Sequence, residues 1–108
     1  MAKANDNEIF EYPNGVPLLP VHPGRTLASE LQARGLTANA VALKLRVPAN
    51  RLSDIIRGQR AISAETALRL GRYFGTGAAF WMNLQSHYDL ALAEREIGER
   101  ISREVEVA

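Results

Sequence analysis

Residues 37–57 read TANAVALKLRVPANRLSDIIR, and the spacing of their apolar residues decides the fold. Thr37 suits an N-cap, because its hydroxyl can accept from a backbone N–H that the first helical turn leaves unpaired. Val41 and Leu45 then lie four apart, on one helical face. A second helix starts near Pro48, which is tolerated in a first turn, and places Leu52, Ile55 and Ile56 on one face until Gly58 ends it. About two residues, Arg46 and Val47, remain as the link. So short a link excludes antiparallel packing and fits the steep crossing of a helix-turn-helix, whose second helix enters the DNA major groove. Ala42 is small where the helices must approach, and Val41, Leu45, Val47, Leu52 and Ile55 supply the contacts that set their angle. Arg46 falls where the turn often needs a positive φ, a conformation that costs a residue with a Cβ about 1 kcal/mol.

The outward face of the second of these helices is then Ala49, Asn50, Arg51, Ser53, Asp54 and Arg57. Asn50 can pair bidentately with adenine, Arg51 with guanine or a phosphate, and Ala49 can touch a thymine methyl. Thr37, Asn39, Arg57, Gln59 and Arg60 would contact phosphates, helped at Thr37 by the positive end of a helix dipole. Asp54 repels phosphate; it either accepts from a cytosine amino group or orients Arg51 or Arg57. The competing reading is an ordinary helical bundle with solvated basic residues on its surface.

Working outward, helical spacing begins at Pro23, with Leu27 and Leu31 one turn apart and Gly35 as a stop signal. After the helix-turn-helix, Ser63 caps a run with Ala67, Leu68, Leu70, Tyr73 and Phe74, ended by Gly75. A long last helix follows Thr76, carrying Phe80, Trp81, Leu84 and Tyr88 and then Ile97, Ile101 and Val105. Five helices and no convincing strand predict an all-α domain with a long C-terminal helix over residues 23–108. Residues 1–22, with Pro13, Pro17, Pro20 and Asn14-Gly15, read as a partly flexible N-terminal arm in which residues 8–12 could form a short strand or pack on a partner.

The 108 residues fit one domain, small enough to gain stability by pairing with a second copy. A net charge of +1 announces nothing, but its distribution does. Between residues 37 and 60, five basic residues face one acid, a local +4; between residues 94 and 108, three face five, a local −2. One part of the surface is built for an anion. No apolar run is long enough to span a membrane, and residues 1–7 lack the apolar stretch of a secretory signal. With no cysteine, the chain has no disulfide or thiolate chemistry, in agreement with a reducing cytoplasm. His22 and His87 lack a second ligand one turn away, so no metal site is expected; His22 is placed to cap or pack at the first helix. No serine sits in a recognisable motif with histidine and carboxylate, and there is no glycine-rich phosphate cradle, so neither catalysis nor a cofactor is expected.

His22-Pro-Gly24, the segments from Gly35 to Ala42 and from Val47 to Ile55, the run from Gly58 to Leu70, and Tyr73-Phe-Gly-Thr76 with Phe80-Trp-Met-Asn-Leu-Gln-Ser-His-Tyr-Asp-Leu90 together resemble the HigA-type antitoxins of the XRE helix-turn-helix superfamily. The resemblance covers about residues 21–100, and both its first and last blocks lie outside the generic helix-turn-helix. It implies a five-helix, lambda-repressor-like fold, a homodimer that represses its own promoter at a palindromic double-stranded operator, and a RelE-like, mRNA-cleaving toxin as partner. Pro48 stands where a serine or threonine cap is frequent in the family, and the arm before His22 is longer than in many members.

Phe80, Trp81, Leu84 and Tyr88 could form a ligand box, but at helical spacing they read as core and subunit interface instead. The Ile97, Ile101, Val105 stripe reads as a contact with a second subunit, since one small domain has little surface left to cover it; Trp81, Leu84, Tyr88, Ile97 and Ile101 are thus the expected dimer contacts. Packing on the same chain, or fraying, is the alternative. Two rival functions are a stand-alone XRE-type regulator without a toxin and a protein-interaction module that scarcely binds DNA.

Overall fold

A computed structural model describes residues 19–108, so most of the expected arm, including residues 8–12, lies outside the described residues. Five helices follow in order: α1 (Pro23–Arg34), α2 (Ala38–Leu45), α3 (Ala49–Ile56), α4 (Ala64–Phe74) and α5 (Ala78–Glu104). All regular structure among the described residues is helical, as the apolar spacing predicts. Residues Val21–Ser86 form one compact unit, and His87–Ala108 fall in a second.

The helix ends follow local chemistry. His22 caps α1, its Nδ1 accepting from the Gly24 N–H at 2.9 Å, with Pro23 in the first turn. Thr37 and Ser63 accept from Ala40 and Thr66 at 3.1 and 3.2 Å and cap α2 and α4. Helix α3 has no side-chain cap, because Pro48 occupies that position. At the end of α2, Val47 N–H reaches Ala42 O at 3.1 Å and Arg46 N–H reaches Leu43 O at 3.2 Å, a paired closure that requires a left-handed residue at Arg46. Arg46 adopts φ 61°, as the sequence suggested, and is the single non-glycine residue with positive φ among the described residues.

Within the Val21–Ser86 unit, the buried core includes Leu27, Val41, Ala42, Leu45, Val47, Leu52, Ile55, Ile62, Leu70 and Trp81. Every apolar residue assigned from sequence to the α2–α3 contact is in it. Burying each such leucine or isoleucine contributes about 1.5–3 kcal/mol. Two glycines let backbones meet. A Cβ on Gly24 would lie 1.9 Å from Ile55 O at the end of α3, and one on Gly71 would lie 2.3 Å from the backbone of Gly77 before α5. Gln85 is buried and accepts from Ile62 N–H at 2.8 Å, tying α5 to the loop before α4.

Of the core and subunit-contact roles expected for Trp81, the second needs correction. Trp81 is 0% exposed and packs against Phe74 and Phe80, so it belongs to the core of its own chain and has no surface to give a second subunit. In α4, Ala67, Leu70 and Phe74 form the buried face, and Leu68 and Tyr73 are 63% and 38% exposed. Leu84 is partly buried against the core, and in the second unit Tyr88 and Ile97 are half-buried while Ile101 is exposed.

Candidate nucleic-acid interface

Two features bear on the axis of α3 directly, and a third ties α4 to α2, on which α3 packs. Gly24 brings the start of α1 against the carbonyl of Ile55, at the C-terminal end of α3. The left-handed Arg46 turns the chain between α2 and α3. Arg69 of α4 donates from Nη1 to Leu45 O at 3.0 Å, so a cation satisfies a carbonyl at the C-terminal end of α2. The apolar side of α3, Leu52 and Ile55, is fully buried, and rotation about the helix axis is thereby excluded.

What remains outward is the face expected from sequence. Ala49, Asn50 and Arg57 are exposed, and Arg51, Ser53 and Asp54 are partly so. Arg51 makes no ion pair among the described residues and can meet a base or a phosphate. Ser53 is turned back on its own helix, its hydroxyl donating to Ala49 O at 3.1 Å with Asn50 O at 3.4 Å, so it offers lone pairs more readily than a proton. Asp54 accepts from Arg57 Nη2 at 2.6 Å and lies 3.5 Å from Arg60 Nη2. Of the partners expected for this acid, Arg57 is the one it pairs with, and Arg60 is added. Exposed pairs of this sort contribute about 0–1 kcal/mol to stability.

Thr37 spends its lone pair on Ala40 and keeps its O–H for an acceptor, while Asn39 is exposed in the first turn of α2. Gln59 and Arg60 are exposed on the loop after α3, where Gln59 N–H donates to Asp54 O at 2.8 Å. The ten residues singled out as a DNA surface thus lie on two helix starts, one helix face and one loop of a single compact unit. Sequence reasoning missed the residues behind them, Gly24 and Arg69, although His22-Pro-Gly24 had been noted as a block. Among the described residues no group of three or more metal-ligating side chains converges. No helix among them is long and apolar enough to cross a membrane.

The helix-turn-helix family model HTH_3 matches residues 27–81, from α1 through Trp81. Virulence-associated protein I of Dichelobacter nodosus is 49% identical over 77 residues, covering 70% of this chain and 71% of its own. A solved structure of the Pseudomonas aeruginosa antitoxin HigA with the higBA promoter is 49% identical, with a TM-score of 0.79, covering 82% of this chain and 97% of that one. An addiction module antidote protein of the HigA family from Coxiella burnetii is 44% identical, with a TM-score of 0.80, covering 82% and 98%. The block from Phe80 to Leu90 acquires its reason in the same fold, since Trp81 fills the core and Gln85 ties down the loop before α4. The chain belongs to the XRE-type helix-turn-helix family, in the group of the HigA-type antitoxins.

Proposed function

We propose that this chain is the cytoplasmic antitoxin of a toxin–antitoxin pair, binding its own palindromic operator as a dimeric repressor and neutralising a RelE-like, mRNA-cleaving toxin. The observation that carries the DNA half is the outward Asn50–Arg51 face of α3, flanked by two arginines that Asp54 aims. On this reading Ala49, Asn50 and Arg51 read base edges, while Thr37, Asn39, Arg57, Gln59 and Arg60 hold phosphates and Ser53 and Asp54 organise the face. Two copies of α3, related by a two-fold axis, sit in successive major grooves ~34 Å apart and exclude polymerase. Leu84, Tyr88, Ile97 and Ile101 on α5 are the residues left for the subunit contact once Trp81 is assigned to the core. The toxin half rests on kinship with HigA-type antitoxins.

The DNA test is a shift assay on the native promoter across a salt series. Binding should weaken steeply with salt, log K falling by about 0.9 per neutralised phosphate for each decade of salt. A chain that binds promoter and unrelated duplex equally, or shows no salt dependence, is not an operator-binding repressor. Co-expression with the product of the adjacent gene tests the toxin half: the antitoxin reading requires a stable complex and relief of growth arrest. A stand-alone regulator gives neither.

A further inference from the structure

Across the end of α2 and the outer side of α4, Leu68 and Tyr73, with Lys44, Arg46 and Arg72, line an open groove of about 310 Å³. Two features set it apart. Leu68 and Tyr73 present apolar surface to solvent on a helix whose opposite face already supplies the core. Lys44, Arg46 and Arg72, like Arg25 and Arg51, make no ion pair among the described residues, but these three gather around one groove, whereas Arg34, Arg57, Arg60 and Arg69 of the same unit each lie within 3.5 Å of a carboxylate. Arg69, at the edge of the groove, is held by Glu65 and by Leu45 O. An apolar floor with unpaired cations around it is complementary to an apolar ridge flanked by carboxylates.

The end of α5 carries such a ridge. Ile101, in the last turn of α5, and Val105, the first residue after it, are held together by the Val105 N–H donating to Ile101 O at 2.9 Å and are 43% and 64% exposed. Glu104 and Glu106 flank Val105; Glu104 lies 3.8 Å from Arg100, and Glu106 makes no ion pair among the described residues. The charges are opposite: Lys44, Arg46 and Arg72 surround the groove, and residues 94–108 carry a local −2.

We propose that the C-terminal end of α5 of a second copy, with the two residues that follow it, docks in this groove, with Ile101 and Val105 against Leu68 and Tyr73, and Glu104 and Glu106 toward Lys44, Arg46 and Arg72. A two-fold dimer satisfies this twice, each copy giving its helix end to the other's groove. The inference rests on the dimer reading above and adds where the subunits touch.

The test is sedimentation equilibrium of the full chain, without DNA, for two double variants. Lys44→Glu with Arg72→Glu reverses the groove; Glu104→Arg with Glu106→Arg reverses the helix end. All four positions are exposed, so both variants should keep the helical circular dichroism of the native chain. Each alone should dimerise on the order of tenfold or more weakly, because like charges then face each other. An equimolar mixture should recover native-strength dimers, all of them mixed, because reversed groove meets reversed helix end at one contact and native meets native at the other. Native dimerisation in each variant alone, or a mixture that stays dissociated, overturns the docking while leaving the dimer itself standing. A native chain that is monomeric at tens of micromolar removes the dimer reading too, and assigns the groove to some other occupant. Operator binding is measured separately and decides neither.

Discussion

A carboxylate on a DNA-facing helix repels phosphate, yet Asp54 sits with Arg57 at 2.6 Å and Arg60 at 3.5 Å on the very face that must meet an anion. Its presence makes sense if direction matters more than net charge. We therefore expect Asp54→Asn to raise affinity for scrambled duplex, through one fewer negative charge, while lowering the preference for the operator by up to about 1 kcal/mol as the two arginines lose their aim. A competition between operator and scrambled duplex reads both effects. Arg57→Ala should weaken binding to every sequence alike and reduce the salt slope by about 1, because it removes one phosphate contact. The identities of these residues were legible in the chain; their pairing was not. An acid followed by arginines three and six positions on has several possible partners, and only the turn after α3, with Gly58 at φ 77°, decides among them.

Individual helices were read from their ends, and the physical reason is local. Thr37 and Ser63 accept from N–H groups three residues on, and Gly35 and Gly75 take the left-handed conformation that closes a helix, so capping is written in near neighbours. Arg46 takes the same conformation with a Cβ. Replacing it by glycine should raise the midpoint of urea unfolding by an amount worth about 1 kcal/mol with the slope unchanged, read at a concentration where the chain is monomeric and the contact proposed for Arg46 with a second copy is absent. Contacts between elements depend instead on which backbones approach, and these the sequence does not spell out. Gly24 is the clearest case: nothing near it in the chain reveals Ile55 O, 1.9 Å from where a Cβ would stand. Gly24→Ala must push α1 away from α3, and a loss of about 1–3 kcal/mol in thermal or denaturant stability is expected. Leu52→Ala, which opens a cavity instead, should lose about 2–5 kcal/mol. The same limit explains Trp81 and Leu68. A helix with apolar residues on several sides does not state which side its own chain covers, and Trp81 was covered while Leu68 was not.

For the molecule as a whole, all-α architecture and the helix-turn-helix followed from periodicity and link length, whereas the quaternary arrangement had no such local signature. A two-fold repressor makes a geometric demand on its operator: half-sites must recur about one helical turn apart. Inserting about 5 base pairs between them, half of a ~10.5-base-pair turn, should place the second half-site on the opposite side of the duplex and abolish joint occupancy of the two, visible as loss of the fully shifted complex. All of this depends on the Asn50–Arg51 face of α3 lying against base edges. The most direct measurement is the ratio of affinities for the promoter and for a scrambled duplex of equal length, in the native chain and in Asn50→Ala at matched helicity. The native ratio should be on the order of 10³ or more. Asn50→Ala should reduce it by an amount equivalent to about 1–3 kcal/mol, confined to one base pair of each half-site, with scrambled-duplex affinity unchanged. An unchanged ratio in Asn50→Ala, or a native chain with no preference, contradicts the account.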